Sequence, residues 1–153
     1  MTIRTVNAKN FCSVVELYKA FFPIHNQFQK KEGEIIQYLK KQAKENLFFV
    51  LENQQKITGA LILVLQGQNK EKTHLLWKYR HCAFVSEKEA KELLNGVEKR
   101  IRTKSPTAKV ELTIAEKEKG KEFYIKNGYI LEGKLKNHYR WGETCYILSK
   151  SFK

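Results

Sequence analysis

Residues 121–150 read KEFYIKNGYILEGKLKNHYRWGETCYILSK, and this stretch decides the fold. A charged run opens a helix that carries Phe123, Tyr124 and Asn127. Gly128 stops it, because glycine tolerates the left-handed backbone just past a helix end. From Ile130 to His138 the residues alternate. Leu131, Gly133 and Leu135 fall on one face and Glu132, Lys134, Lys136 and His138 on the other, the period of a half-buried strand. Arg140-Trp141-Gly142-Glu143 is a turn, and Cys145 to Leu148 is a last apolar strand.

Upstream, the pattern supplies the rest of a layered α/β fold. Ile3 and Val6 mark a short first strand, and Asn7 or Asn10 is placed to cap the helix that follows. Phe11, Val14, Val15, Tyr18, Phe21 and Phe22 recur at helical spacing over 10–22 until Pro23 ends the run. A polar loop, 24–31, holds Phe28. A second helix spans 32–45 with Ile35, Ile36, Leu39 and Ala43 inward. Strands over 47–52 and 57–66 form a hairpin, although its turn lacks the favoured Asn-Gly pair. A long strand follows over 73–85. Ser86 and Glu89 have capping-box spacing at the head of a helix that runs to about residue 102. Val110, Leu112 and Ile114 alternate in a strand over 109–115. These elements predict one domain over residues 1–153, a mixed sheet of about seven strands flanked by about four helices.

Composition bounds the function. The chain has 153 residues, 42% of them hydrophobic and 12% aromatic, which argues for a packed globular core. The longest apolar run, Ala60 to Leu65, is too short to span a bilayer, and the amino terminus lacks the apolar centre of a signal peptide. A membrane partner is therefore not expected. Cys12, Cys82 and Cys145 are odd in number and far apart, which fits reduced thiols in the cytoplasm. None pairs with a histidine at ligand spacing, so no metal is expected. The 29 Lys and Arg against 16 Asp and Glu give a net charge of +13, which attracts polyanions such as nucleic acid or a ribosome. The lysines are spread along the whole chain, as on a simply solvated basic surface.

A helix ending Phe-Tyr-x-Lys-x-Gly-Tyr, then Glu-Gly-x-Leu-x-x-His-Tyr, then Gly-Glu-x-x-Tyr-x-Leu resembles the carboxy-terminal half of the GCN5-related N-acetyltransferase (GNAT) superfamily. The Tyr-Arg-x-Gly-Glu turn is most similar to the branch that acetylates protein amino termini. The resemblance implies acetyl-coenzyme A as cosubstrate and a primary amine, of a protein or a small molecule, as acceptor. It implies that Tyr124 protonates the leaving thiolate, with His81 at the end of the fourth strand as candidate base. It places the cofactor against Phe84, Val85, Ser86 and Lys88, with Lys117 and Lys121 as further phosphate partners. Phe28 would belong to the acceptor loop, and Glu132, His138 and Tyr139 would either shape the acceptor side or serve as hairpin residues whose cross-strand packing fixes register.

The sequence departs from the superfamily at Lys117, where an asparagine often contacts the cofactor, and most informatively at one motif. The pyrophosphate normally lies on a glycine-rich loop at the start of the third helix. Here the segment is Phe84-Val85-Ser86-Glu87-Lys88-Glu89, with no glycine and two glutamates. The alternative function is accordingly a non-catalytic GNAT fold that binds nucleic acid or a ribosome through basic and aromatic residues, as monomer or homodimer.

Overall fold

A computed structural model describes all residues, 1–153, in the order β1 (Thr2–Thr5), α1 (Phe11–Phe21), α2 (Glu32–Glu45), β2 (Leu47–Asn53), β3 (Lys56–Gln68), β4 (His74–Phe84), α3 (Glu87–Lys104), β5 (Thr107–Ala115), α4 (Lys121–Lys126), β6 (Ile130–Lys136) and β7 (Thr144–Phe152). Single 3₁₀ turns lie at Ala8–Asn10 and Asn26–Gln29. The seven strands form one mixed sheet in the order β1-β2-β3-β4-β5-β7-β6. The β4–β5 pairing is parallel, from His74↔Thr107 to Lys78↔Glu111. The chain divides into two compact units, Met1–Val64 with Tyr79–Arg100 and Leu65–Lys78 with Ile101–Lys153.

In the first unit, β2 is buried on both faces. Phe48 and Val50 join Val14, Val15, Tyr18, Ile35 and Leu39 of α1 and α2 in one core. On the opposite face, Arg100 of α3 stacks over Phe49, and Leu51 and Leu93 close around Gly59. That two-sided burial explains why 47–51 reads as an unbroken apolar run. The β2–β3 turn is made by Gln54 and Gln55, both at positive φ (50° and 64°), the geometry that normally selects Asn-Gly. Asn7 caps the 3₁₀ turn before α1, its Oδ1 accepting from Lys9 N–H at 3.0 Å. Asn10 accepts instead from Asn7 N–H and Arg4.

In the second unit, β5 turns Ala108, Val110, Leu112 and Ile114 into the core, and β7 pairs antiparallel with it from Ala108↔Phe152 to Ala115↔Cys145. β7 thus reaches Phe152, four residues past the predicted end. Gly128, at φ +90°, closes α4 as its position predicts. The alternation expected in β6 fails at its start. Leu131 is 41% exposed, because the register with β7 slips between Leu131 and Gly133. Glu132 is the extra residue of that bulge.

Candidate functional site

In the first unit the candidate residues gather around His81. Its backbone holds φ +50° within β4, a conformation costly for a non-glycine residue and concentrated at functional sites. Its Nε2 lies 2.7 Å from the Tyr38 hydroxyl. Five rings surround the imidazole: Phe28 at 4.9 Å between centroids, His25 at 5.2 Å, Tyr38 at 5.7 Å, Tyr18 at 5.8 Å and Phe22 at 6.2 Å. The structure therefore brings together Phe28 and His81. Burial raises the Tyr38 phenol against the nearby Arg80 charge, so it stays a neutral hydrogen-bonding group. Tyr18 is raised by burial too, and its hydroxyl has no hydrogen-bond partner. Tyr38 was findable in the sequence: with Ile35, Leu39 and Gln42 it completes one face of α2.

The remaining first-unit candidates are on the β4–α3 connection. Phe84 packs on Phe21 at 4.7 Å, edge to face. Val85 is exposed, its N–H donating to the Thr58 carbonyl at 2.9 Å. Only Val85 and Ser86 separate strand from helix. The Ser86 hydroxyl donates to the Glu89 carboxylate, which also accepts from Asn53 Nδ2 at 3.4 Å. The Ser86 bond holds the Glu89 carboxyl below the usual glutamate range. The head of α3 thus carries the chain's own anion, with Lys88 exposed beside it.

In the second unit, Tyr124 lies on α4 and is 2% exposed. Its ring meets Tyr129 edge to face at 5.3 Å and Phe123 at 5.6 Å. Lys117 is exposed on the turn after β5. Lys121 Nζ sits 4.0 Å over the Tyr146 ring. Glu132, lifted by its bulge, pairs with Lys109 at 2.8 Å and accepts from the Ser149 hydroxyl. Both partners lie on strands of the same sheet, β5 and β7. His138 stacks on Tyr139 at 4.6 Å, and the Tyr139 hydroxyl meets Thr113 Oγ1 at 3.0 Å. Glu118 and Glu143, to which the sequence assigns no site role of their own, both lie at turns, where a glutamate normally signals only a solvated surface.

No protein-family model matches the sequence, and no curated protein matches it. Solved structures do match. A GNAT-family protein from Desulfovibrio desulfuricans superposes with a TM-score of 0.75 at 14% identity, covering 97% of both chains. The chain has the GNAT fold. Within that fold it is also similar to Arabidopsis thaliana Naa50 in complex with the bisubstrate analogue CoA-Ac-MVNAL, at TM-score 0.76 and 17% identity over 99% of this chain and 98% of that one. The aminoglycoside 6'-N-acetyltransferase from Enterococcus faecium matches at 0.74 and 16% identity, covering 99% and 97%. The GNAT fold expected from residues 121–150 thus extends over the whole chain. No helix is long and apolar enough to cross a membrane.

Proposed function

We propose that residues 1–153 act as a single N-acetyltransferase domain, moving acetyl directly from acetyl-coenzyme A to a primary amine. The observation that carries this reading is the near-complete match to a GNAT fold solved with a coenzyme A bisubstrate analogue. Direct transfer needs an amine that loses a proton, a polarised thioester carbonyl and a proton for the departing thiolate. Tyr124 is the proposed acid, since a neutral phenol donates to a developing thiolate. His81, oriented by Tyr38, is the candidate base. Lys88, Lys117 and Lys121 supply positive charge for the cofactor phosphates, in place of the glycine loop. Phe28 fits an acceptor-side wall, and Tyr139 with His138 a second. The three free cysteines suit a cytoplasmic setting. The test is release of free thiol from acetyl-coenzyme A on addition of primary amines. Release that depends on the amine supports transfer, and none with any amine removes it.

A second reading has one observation in its favour. Trp141 is 91% exposed, in the turn that follows His138, Tyr139 and Arg140. An exposed aromatic among cations suits stacking on single-stranded nucleic acid, including that of a ribosome.

A further inference from the structure

His25 opens the 3₁₀ turn Asn26–Gln29, and its ring Nδ1 accepts the Gln27 N–H at 3.1 Å. A backbone N–H only donates, so Nδ1 carries the lone pair and Nε2 the proton. His25 therefore caps the turn as a neutral ring. The usual capping residues, Asn, Asp, Ser and Thr, offer oxygens that remain acceptors at neutral pH. A histidine cap is different. One proton added at Nδ1 removes it, because both ring nitrogens of an imidazolium donate. The ring is half-buried, so solvent protons reach it.

The other bonds of the turn are local. His25 N–H donates to the Phe22 carbonyl at 3.2 Å, and Phe28 N–H to the His25 carbonyl at 3.0 Å. Gln29 Nε2 donates to the Pro23 carbonyl at 3.3 Å. Rings join the turn to α1 and β4. Phe28, 3% exposed, lies 4.9 Å from both Tyr18 and His81. His25 meets His81 edge to face at 5.2 Å. The seat of Phe28 thus depends on the turn that His25 caps.

The titratable groups around this seat offer a proton on His25 no fixed negative charge. His81 of β4 is a second imidazole. The Tyr38 phenol of α2 and the Tyr18 phenol of α1 lie against it, both held neutral by burial. Arg80 acts on Tyr38 as a cation, and Cys82 is a thiol beside Tyr18. Lys30 and Lys31 follow on the segment itself, and Glu34 of α2 accepts from the Lys31 N–H.

We propose that His25 is a pH-sensitive latch on the segment between α1 and α2. Neutral, it caps the turn and seats Phe28 against His81. Protonated, it releases the turn, and two of the five rings around His81 withdraw. Closure that needs the neutral ring is strongest above the ordinary histidine value of about 6.5 and weakens as pH falls below it. The latch goes beyond the acetyl-transfer reading and stands on the free chain alone.

The test is amide hydrogen exchange of the full chain by NMR, corrected for the intrinsic effect of pH. Protection of Gln27 and Phe28 should fall roughly tenfold from about pH 7.5 to about pH 5.5. His25→Asn supplies an acceptor that does not titrate, and should hold protection equal at both pH values. His25→Ala should lower it at both. Constant protection in the parent, or a fall that persists in His25→Asn, overturns the latch. Should the variants fail to fold, the parent's ring nitrogens decide. Protonation of His25 that leaves the Gln27 amide shift unchanged also overturns it.

Discussion

The Tyr38 hydroxyl stands 2.7 Å from His81 Nε2, joining α2 to the one residue of β4 whose φ is positive. The bond fixes the imidazole in a ring of aromatic side chains. Tyr38→Phe keeps the ring packing and removes the bond. It should lower stability by about 1 kcal/mol, read by thermal unfolding, and should change the tautomer signature of His81 in nitrogen-detected NMR. An unchanged His81 signature would mean that Tyr38 does not orient the ring.

Tyr124→Phe should lower the acetyl transfer rate by roughly a hundredfold, the scale of a lost general acid. Acetyl-coenzyme A affinity should change little, because the phenyl ring keeps its contacts with Tyr129 and Phe123. Full activity in this variant would remove Tyr124 from the mechanism.

Glu89 occupies the head of α3, where the superfamily binds pyrophosphate. Helix amino termini favour anions, and a resident carboxylate competes with an incoming one. Glu89→Gln should therefore tighten acetyl-coenzyme A binding severalfold, measured by calorimetry at moderate salt. Weaker or equal binding would show that the phosphates lie elsewhere.

Much of this was legible in the sequence because local patterns agreed with the fold. The 32–45 helix has the predicted bounds, and Gly128 ends α4 as its place after Asn127 implies. The illegible parts depend on partners distant in sequence. The turn at Gln54-Gln55 forms without its preferred residues because β2 and β3 are held by burial on both faces. The β6 bulge at Glu132 depends on Lys109 and Ser149, neither of which alternation can reveal. The His81 cluster combines rings from α1, α2 and β4 with three from the segment between the helices, and of these only Phe28 and His81 carry a site signal in the sequence. Glu143 reads as a surface turn residue until its burial is known.

The Lys109–Glu132 pair gives a pH dependence with a defined sign. Hydrogen bonds from Lys109 and then Ser149 hold the Glu132 carboxyl below the ordinary value of 4.5, and Glu132 raises Lys109. A lowered carboxyl stabilises the fold above its ordinary value, and that contribution is lost as pH falls through the folded-state value. Glu132→Gln should therefore flatten the loss of stability below pH 4.5 relative to the parent. Parallel stability curves for the two proteins would show that this exposed pair contributes nothing.

Charge reversal at Lys134 and Lys136, both exposed on β6, tests the nucleic-acid reading. If that strand touches phosphate, the reversal should flatten the salt dependence of RNA binding by roughly one to two counterions. An unchanged slope clears β6 of any phosphate contact.

The most direct measurement is calorimetric titration of the purified chain with acetyl-coenzyme A at moderate salt. The account predicts one-to-one binding in the micromolar range, with the lysines standing in for the glycine loop. No heat of binding at millimolar cofactor would contradict it, and would leave a GNAT fold turned to another use.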